Sequence, residues 1–403
     1  MTIIRGVDMW TALFKRLVGR IVTKGDLHVS LPDGTEMQFG DGTGAPIHVT
    51  LSDPALLRRF VLNPELAAGE AYMDGTLTIA QDDLHGFLTL AITNMDMGVG
   101  HGAERWIGPL MKNLHQFNPV SRARRNVAHH YDLSGELYDI FLDNDRQYSC
   151  AYFRHPDMTL EEAQEAKKAH IAKKLCLEPG MRVLDIGCGW GGMALTLAQD
   201  FGARVTGVTL SEEQQRLASE RVAKVGLTDR VDIRLQDYRA LTERFDRIVS
   251  VGMFEHVGVP HYREYFSHVH DLLNPDGVAL IHTIGRSAPP ARTSPWINKY
   301  IFPGGYIPSM SEMTRAVERE GLWMTDIEIW RLHYAETLKN WYERFMAQID
   351  KARALYDERF CRMWRFYLVA SELTFRHAKQ CVFQVQLARR QDAVPLTRDY
   401  ITA

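Results

Sequence analysis

The sequence predicts an α/β fold: a seven-stranded, mostly parallel sheet with helices on both faces, preceded by a small N-terminal α+β domain. Three observations predict it. From residue 182 onward, apolar runs of strand length alternate with helical stretches. The run Val183-Leu-Asp-Ile-Gly-Cys-Gly-Trp-Gly-Gly192 joins the first of those strands to a helix through glycines at alternate positions, Gly187, Gly189 and Gly191. At 403 residues the chain exceeds the size at which one hydrophobic core keeps growing, so two domains are expected.

Residues 20–50 read as β-rich. Leu27-His-Val-Ser-Leu31 alternates apolar with polar, Pro32-Asp-Gly34 supplies a turn, and Ile47-His-Val-Thr-Leu51 is another short strand. Ser52-Asp-Pro54 opens a helix that runs through Leu62. Glu70 to Gly75 reads as a turn, and a helix is expected around Asp82–Asn94. These elements make up the small domain, residues 1–115. Met95 to Asn118, with Gly98, Gly100, Gly102 and Gly108, reads as a linker.

The larger domain takes residues 116–403. After the basic cluster Arg122, Arg124 and Arg125, a helix is expected over 133–142. A second, over 159–175, opens on Thr159-Leu-Glu-Glu162, a capping-box pattern, and stops at Pro179-Gly180. Strands are expected at 182–187, 204–210, 231–236, 246–252 and 277–284, with helices at 190–201, 212–225 and 261–273. A strand at 322–330, helices at 335–350 and 353–378, and a strand at 381–388 finish the chain. Residues 286–310, rich in Pro, Gly and aromatics, break this rhythm and read as a lid-like insertion.

Composition excludes several classes. A net charge of −3 gives nucleic acid no support as a partner. The five cysteines form no CxxC or Cys/His ligand set, so no metal is expected and a reduced, cytoplasmic protein is. Met1 to Leu17 lacks the pattern of a signal peptide, and no apolar run has the length of a membrane span.

The glycine turn needs positive φ or close backbone approach, which suits a nucleotide-like ligand held against bare backbone. Gly187, Gly189 and Gly192 satisfy G-x-G-x-x-G, yet two features disfavour a dinucleotide. Asp185 stands just before the turn, where a carboxylate would repel a pyrophosphate. The next strand, Arg204 to Ser211, ends without the acid that grips an NAD ribose. S-adenosylmethionine carries an ammonium and a sulfonium and no phosphate, so it is the expected ligand.

Several stretches together resemble the cyclopropane fatty acyl phospholipid synthases and the mycolic acid cyclopropane synthases. They are Asn126-Val-Ala-His-His-Tyr-Asp-Leu-Ser134, Gln147-Tyr-Ser-Cys-Ala-Tyr-Phe153, the glycine turn, Gly207-Val-Thr-Leu-Ser-Glu-Glu-Gln214, Met253-Phe-Glu-His-Val-Gly258, Ile281-His-Thr-Ile-Gly285, Tyr300-Ile-Phe-Pro303, and Tyr334 with Asn340-Trp-Tyr-Glu-Arg-Phe345. The resemblance runs from about residue 120 to the C-terminus. It implies a class I methyltransferase (Rossmann-like) fold and transfer of the S-adenosylmethionine methyl to a cis double bond of a phospholipid acyl chain. The resulting carbocation closes to a cyclopropane ring when a bound bicarbonate removes a proton.

The resemblance also implies the site. Cys150, Glu255, His282, the Ile284 carbonyl and the Tyr334 hydroxyl fall in the bicarbonate pocket. Tyr148, Ser149, Gly187, Gly189, Gly191, Leu210, Gln214, Asp237 and Tyr238 fall at the cofactor. Asp185 joins them on the electrostatic ground above, and Thr209 with Gln214 would replace the usual acid at the ribose. A family position once considered a catalytic cysteine falls near Ser371, to which no role is given. The partners implied are unsaturated phospholipids at the membrane surface, through peripheral contact at its inner face, and a second copy of the chain as a homodimer. Trp296, Tyr300 and Ile301 of the insertion are the expected lipid-contacting side chains, and the Arg122 cluster is a further candidate for headgroups. Two rival activities share these motifs: a C-methyltransferase leaving a methyl branch or a methylene, and a small-molecule N- or O-methyltransferase. A non-enzymatic lipid-binding protein is a third class.

Overall fold

The computed structural model describes residues 2–96 and 134–402, with side chains from residue 9 to 95 in the first stretch. The expected linker, the Arg122 cluster and the Asn126 motif lie mostly or wholly outside the described residues. The chain divides into two compact units, both discontinuous in sequence. One holds residues 1–111, 293–301 and 341–379; the other holds 112–292, 302–340 and 380–403. A single boundary near residue 115 therefore does not describe the chain, because two later segments join the N-terminal unit.

The first unit opens on a helix, Thr2–Ile21, that sequence reading did not assign. Its sheet has the order β2-β1-β3-β4, with β1 Asp26–Ser30, β2 Glu36–Gly40, β3 Ile47–Leu51 and β4 Leu77–Ile79. Alternate residues of β1, β2 and β3 are buried, as a sheet with one covered face requires. Glu70 to Met73, expected as a turn, form the last turn of the helix Pro64–Met73; the chain turns only at Asp74 and Gly75. The physical reason is upstream: Asn63 caps that helix through its side chain, and Pro64 occupies its first turn.

The insertion also departs from expectation. Pro295–Tyr300 is a short helix within this unit. The Trp296 side chain is 1% exposed. Its indole N–H donates to the Met73 sulfur at 3.3 Å, its ring lies 4.7 Å from that of Phe366, and a Cβ on Gly69 would collide with it. Lys299 and the Tyr300 hydroxyl both donate to Glu70, at 2.5 and 2.8 Å, and with Arg59 they hold its carboxyl down to about 2 despite partial burial. Trp296 and Ile301 are thus core residues, and Tyr300 is a hydrogen-bonded part of the fold, rather than a lipid-facing set. The tryptophan was misread because its partners are more than 60 residues away in sequence. The helix Glu358–His377, whose aromatics and arginines invite an interfacial reading, likewise buries Trp364 and ties Arg365 to Asp82.

The second unit carries the seven-stranded sheet, order β10-β11-β9-β8-β5-β6-β7. Its strands are β5 Arg182–Ile186, β6 Arg204–Thr209, β7 Val231–Leu235, β8 Phe245–Val251, β9 Leu273–Arg286, β10 Trp323–Trp330 and β11 Gln380–Ala388. Strands β5 to β9 run parallel in the order 7-6-5-8-9, and β11 enters antiparallel between β9 and β10. Four of five residues in β5 are buried, so both faces are covered. The chain starts at β5, winds outward through β6 and β7, and then crosses back to β8 and β9. The switch point falls between β5 and β8, and a ligand belongs beyond the carboxyl ends of those strands. The helix Leu160–Lys174 begins on the expected capping box, with Thr159 and Glu162 each satisfying the other's backbone N–H.

Candidate active site

Beyond β5 the chain enters the glycine turn. Gly187, Gly189 and Gly191 have φ of 79°, 53° and 81°, a region that side chains disfavour. The amides of Gly187 and Cys188 both donate to the Val208 carbonyl, at 2.9 and 3.0 Å, which pins the turn to β6. The three positions are not equivalent. A Cβ on Gly191 would press on Ala218 of the helix Glu212–Lys224 at 3.1 Å, and one on Gly187 would press on Met253 at 3.2 Å. A Cβ on Gly189 would meet nothing within 4 Å. Gly191 therefore serves helix contact, whereas Gly189 presents bare backbone to open space.

Gly187, Gly189, Thr209, Leu210, Gln214, Asp237 and Tyr238, which sequence reading assigned to the cofactor, line one cleft at these strand ends. Met253, His256, His261, Pro303 and Gly304, which it did not assign, complete the wall. The Thr209 hydroxyl donates to Gln214 Oε1 at 2.8 Å, which leaves the Gln214 amide hydrogens as its donors. Arg239 holds the Asp237 carboxylate with two donors, at 2.9 and 2.7 Å. Burial lowers the His256 imidazole to about 4, so it faces the cleft neutral at pH 7.

Tyr148, Ser149, Asp185 and Gly191 do not line this cleft. Asp185 ends β5 behind the turn, 2% exposed, and its Oδ2 finds no hydrogen-bond partner among the described residues. Burial pushes its carboxyl up to about 7, against the pull of the Lys167 ammonium. An orphaned carboxylate oxygen, an acceptor, behind a turn whose open space at Gly189 a Cβ would enter complements a ligand that donates from ammonium and hydroxyl groups, and so fits S-adenosylmethionine.

Lys167 is the residue that sequence reading missed. It is fully buried, and its Nζ donates to Gln147 Oε1 at 2.7 Å and to the Ser149 hydroxyl at 2.8 Å. Gln164, one turn earlier, donates to the carbonyls of Gln147 and Ser149 at 3.2 and 3.0 Å. One helix face thus fixes the segment that carries Tyr148 and Cys150. Burial lowers Lys167 to about 8, while Asp143 and Asp145 support its charge. A signal existed: Leu160, Ala163, Gln164, Lys167, Ile171 and Lys174 share one helical stripe, and all are buried.

The second cluster lies at β8, β9 and β11. Glu255 sits in a short helical turn, Phe254–His256, just after β8. Its Oε1 accepts from the Ile284 amide at 2.6 Å, and its Oε2 has no partner among the described residues. Burial raises the carboxyl to about 7, with the Ile284 amide and the Thr283 hydroxyl acting the other way. His282, 2% exposed, shares the Ile284 face of β9. The Gln384 amide N–H lies 3.1 Å from His282 Nδ1, so Nδ1 accepts and the ring proton sits on Nε2. Burial, helped by Lys167 and Lys174, holds this imidazole well below its usual range. The Ile284 carbonyl accepts from the Thr283 hydroxyl at 3.1 Å.

Cys150 is wholly buried, its thiol pushed far up by desolvation and directed at the Ala151 carbonyl, 3.3 Å away. The Ala151 amide donates to Thr337 at 3.0 Å, and Thr337 lies one turn from Tyr334 on the helix His333–Ala347. Cys150 and Tyr334 are thus linked through Ala151 and Thr337, and Glu255 is linked to the His282 strand through Ile284. The charge of Lys167 acts on both Cys150 and His282.

Comparison with known proteins bears on this geometry. Residues 119–385 match the family model described as mycolic acid cyclopropane synthetase. The chain belongs to this family. Residues 10–100 match a domain of unknown function. The cyclopropane-fatty-acyl-phospholipid synthase of Escherichia coli K12 is 41% identical over 345 residues, 86% of this chain and 88% of that one. The tuberculostearic acid methyltransferase UfaA1 of Mycobacterium tuberculosis is 37% identical over 394 residues, 94% and 91% of the two chains. Among solved structures, mycolic acid cyclopropane synthase CmaA1 in complex with SAH and CTAB superposes with a TM-score of 0.63 at 36% identity, over 67% of this chain and 99% of that one. The fold is that of the class I methyltransferases, and the protein is an S-adenosylmethionine-dependent methyltransferase.

Proposed function

We propose that the chain transfers the methyl of S-adenosylmethionine to a cis double bond of an unsaturated phospholipid acyl chain and closes a cyclopropane ring. The observation that carries this reading is Glu255: a fully buried carboxyl with one orphaned oxygen, one residue from His256 of the cofactor cleft. S-adenosylmethionine supplies an electrophilic methyl. An alkene is a poor nucleophile, so the chain's task is to hold it in line and keep water from the cation that follows. The proposed cofactor set is Tyr148, Ser149, Asp185, Gly187, Gly189, Gly191, Thr209, Leu210, Gln214, Asp237 and Tyr238. Gly189 admits the ligand and Gln214 donates to its hydroxyls; Lys167 holds Ser149 in place and opposes protonation of Asp185.

Closure of the ring needs a base that is not itself methylated. A bicarbonate ion, which supplies that base when bound, is proposed to sit among Cys150, Glu255, His282, Ile284 and Tyr334. The residues fit an oxyanion. Half-protonated near pH 7, Glu255 can donate an O–H, and neutral His282 carries its proton on Nε2. These donors would hold the ion while Trp330, edge-on to His282 with ring centroids 5.1 Å apart, keeps the surroundings apolar.

One relative spanning 94% of this chain is named a tuberculostearic acid methyltransferase, and that favours a methyl-branched or methylene product as the second reading. Proton NMR and mass spectrometry of lipids from cells expressing the chain decide between them. Upfield cis-ring protons are expected; vinylidene or branched-methyl signals without them would replace the first reading with the second. The family resemblance further supports a homodimer at the cytoplasmic face of the membrane, with the N-terminal unit assisting lipid binding or dimerisation. Among the described residues, no helix is long and apolar enough to cross a membrane.

A further inference from the structure

A second cleft, of about 500 Å³, opens on the large unit beside the loop that carries Glu255. Val259, Pro260 and Tyr262 form one wall, while Val257 and His261 of the same loop face the cofactor cleft. The opposite wall is the helix Met310–Arg319. Three arginines line the space. Arg315 and Arg319 stand one turn apart on that helix, both exposed, and neither pairs with a carboxylate among the described residues. Arg263 shares Glu320 at 2.9 Å.

The acid of the cleft, Glu312, is occupied. It accepts from the Tyr306 hydroxyl at 3.0 and 2.9 Å and from the Ser309 amide at 3.1 Å. Its oxygens are engaged in capping its own helix, and among the described residues it forms no ion pair with Arg315 or Arg319, so two guanidinium groups face one carboxylate and the cleft keeps an excess of positive charge. Tyr262 adds a phenol that is 2% exposed and whose hydroxyl has no partner among the described residues. Two planar guanidinium forks one turn apart match the oxygens of a phosphate better than they match any single carboxylate. The volume suits a headgroup-sized ligand.

We infer that this cleft binds the phosphate of the lipid substrate's headgroup. The inference rests on the phospholipid reading above and deepens it by naming where the polar end is held. The route to the chemistry is short. Tyr306, anchored by Glu312, donates its amide to the Glu255 carbonyl at 2.9 Å. A headgroup gripped by Arg315 and Arg319 therefore sits on the helix turn that also fixes the Glu255 loop. Free phosphate shares the chemistry, and the test separates the two sources.

The test uses the full chain and the double variant R315Q/R319Q, whose exposed positions leave the core intact. Binding is read by sedimentation with phosphatidylglycerol vesicles and by calorimetry with inorganic phosphate, alongside affinity for S-adenosylhomocysteine. Each arginine near an anionic surface is worth about five-fold in affinity, so the double variant should bind vesicles about 25-fold more weakly. KM for vesicle substrate should rise with kcat retained, and S-adenosylhomocysteine affinity should stay within about two-fold. Vesicle affinity and KM unchanged in the variant would overturn the inference. So would loss of inorganic-phosphate binding alone, which would make the cleft a free-phosphate site. If the wild type binds vesicles through these arginines yet transfers no methyl to them, the headgroup site stands and the phospholipid-substrate reading fails.

Discussion

The glycine-turn cleft and the buried cluster behind it prepare for ligands in opposite ways. The cleft is built from backbone: the positive-φ glycines Gly187 and Gly189, a turn pinned to Val208, and side chains such as Gln214 and Asp237 whose partners are already in place. The cluster is built from groups that burial disfavours. Asp185 and Glu255 each keep an orphaned oxygen and are raised to about 7, while Lys167 and His282 are pushed down. A shape-built site loses function when it is filled. A desolvated site loses function when its charges are removed, and it can gain apo stability in the exchange. Strained electrostatics of this kind mark positions where a ligand completes the hydrogen bonding.

That contrast can be broken at four points. The largest effect is expected at Glu255→Gln, which keeps the shape and removes the titrating proton. Turnover should fall by about 10²- to 10⁴-fold, the usual range for a general acid–base group, with S-adenosylhomocysteine affinity nearly unchanged. Near-normal turnover in a methyl-transfer assay would remove Glu255 from the proposed chemistry. Gly189→Val should cost about 100-fold in affinity for S-adenosylhomocysteine, because its side chain enters the open space and its φ is strained. Calorimetry showing wild-type affinity would mean that the ligand lies elsewhere.

Lys167→Met is the sharper test of the boundary between the two regions. Without the ammonium, nothing opposes the burial of Asp185, so the acid limb of S-adenosylhomocysteine binding should move to higher pH by about one unit. The groups facing Lys167 are Asp143, Asp145 and Cys150, Lys168 on its own helix, and Asp185 and His282 on the sheet. An affinity lowered equally at every pH would reduce Lys167 to packing. The smallest effect is expected at Asp185→Asn in the apo protein. The folded carboxyl is raised from 3.8 to about 7, so its stabilising contribution is present below pH 4 and is lost as pH rises through 7. The variant should therefore be more stable than wild type at pH 8, by roughly 1–3 kcal/mol in urea titrations, and lose that advantage at pH 4.

Much of the candidate site was legible because its chemistry is written in contiguous runs. A strand, a glycine turn and a helix form a local unit, and local units keep their meaning wherever they fold. The strands β5 to β9 and the capped helix at Thr159 follow from periodicity and end signals within a few residues. Trp296 was misassigned because an aromatic in a Pro-rich stretch looks exposed until Gly69, Met73 and Phe366 are seen around it. Lys167 was passed over for the same kind of reason: a lysine in a charged helix reads as solvated, and only the tertiary structure brings Gln147 and Ser149 to its tip.

By itself, then, the sequence determined the α/β class, the order of the parallel strands' elements, the glycine turn and its taste for a cationic, phosphate-free ligand, since each depends on neighbours within about twenty residues. Only the tertiary structure decided which of the three glycines faces open space, which ionisable groups lost their water, and that residues 293–301 and 341–379 join the N-terminal unit. Desolvation and side-chain collision are set by atoms distant along the chain, and no local pattern encodes them.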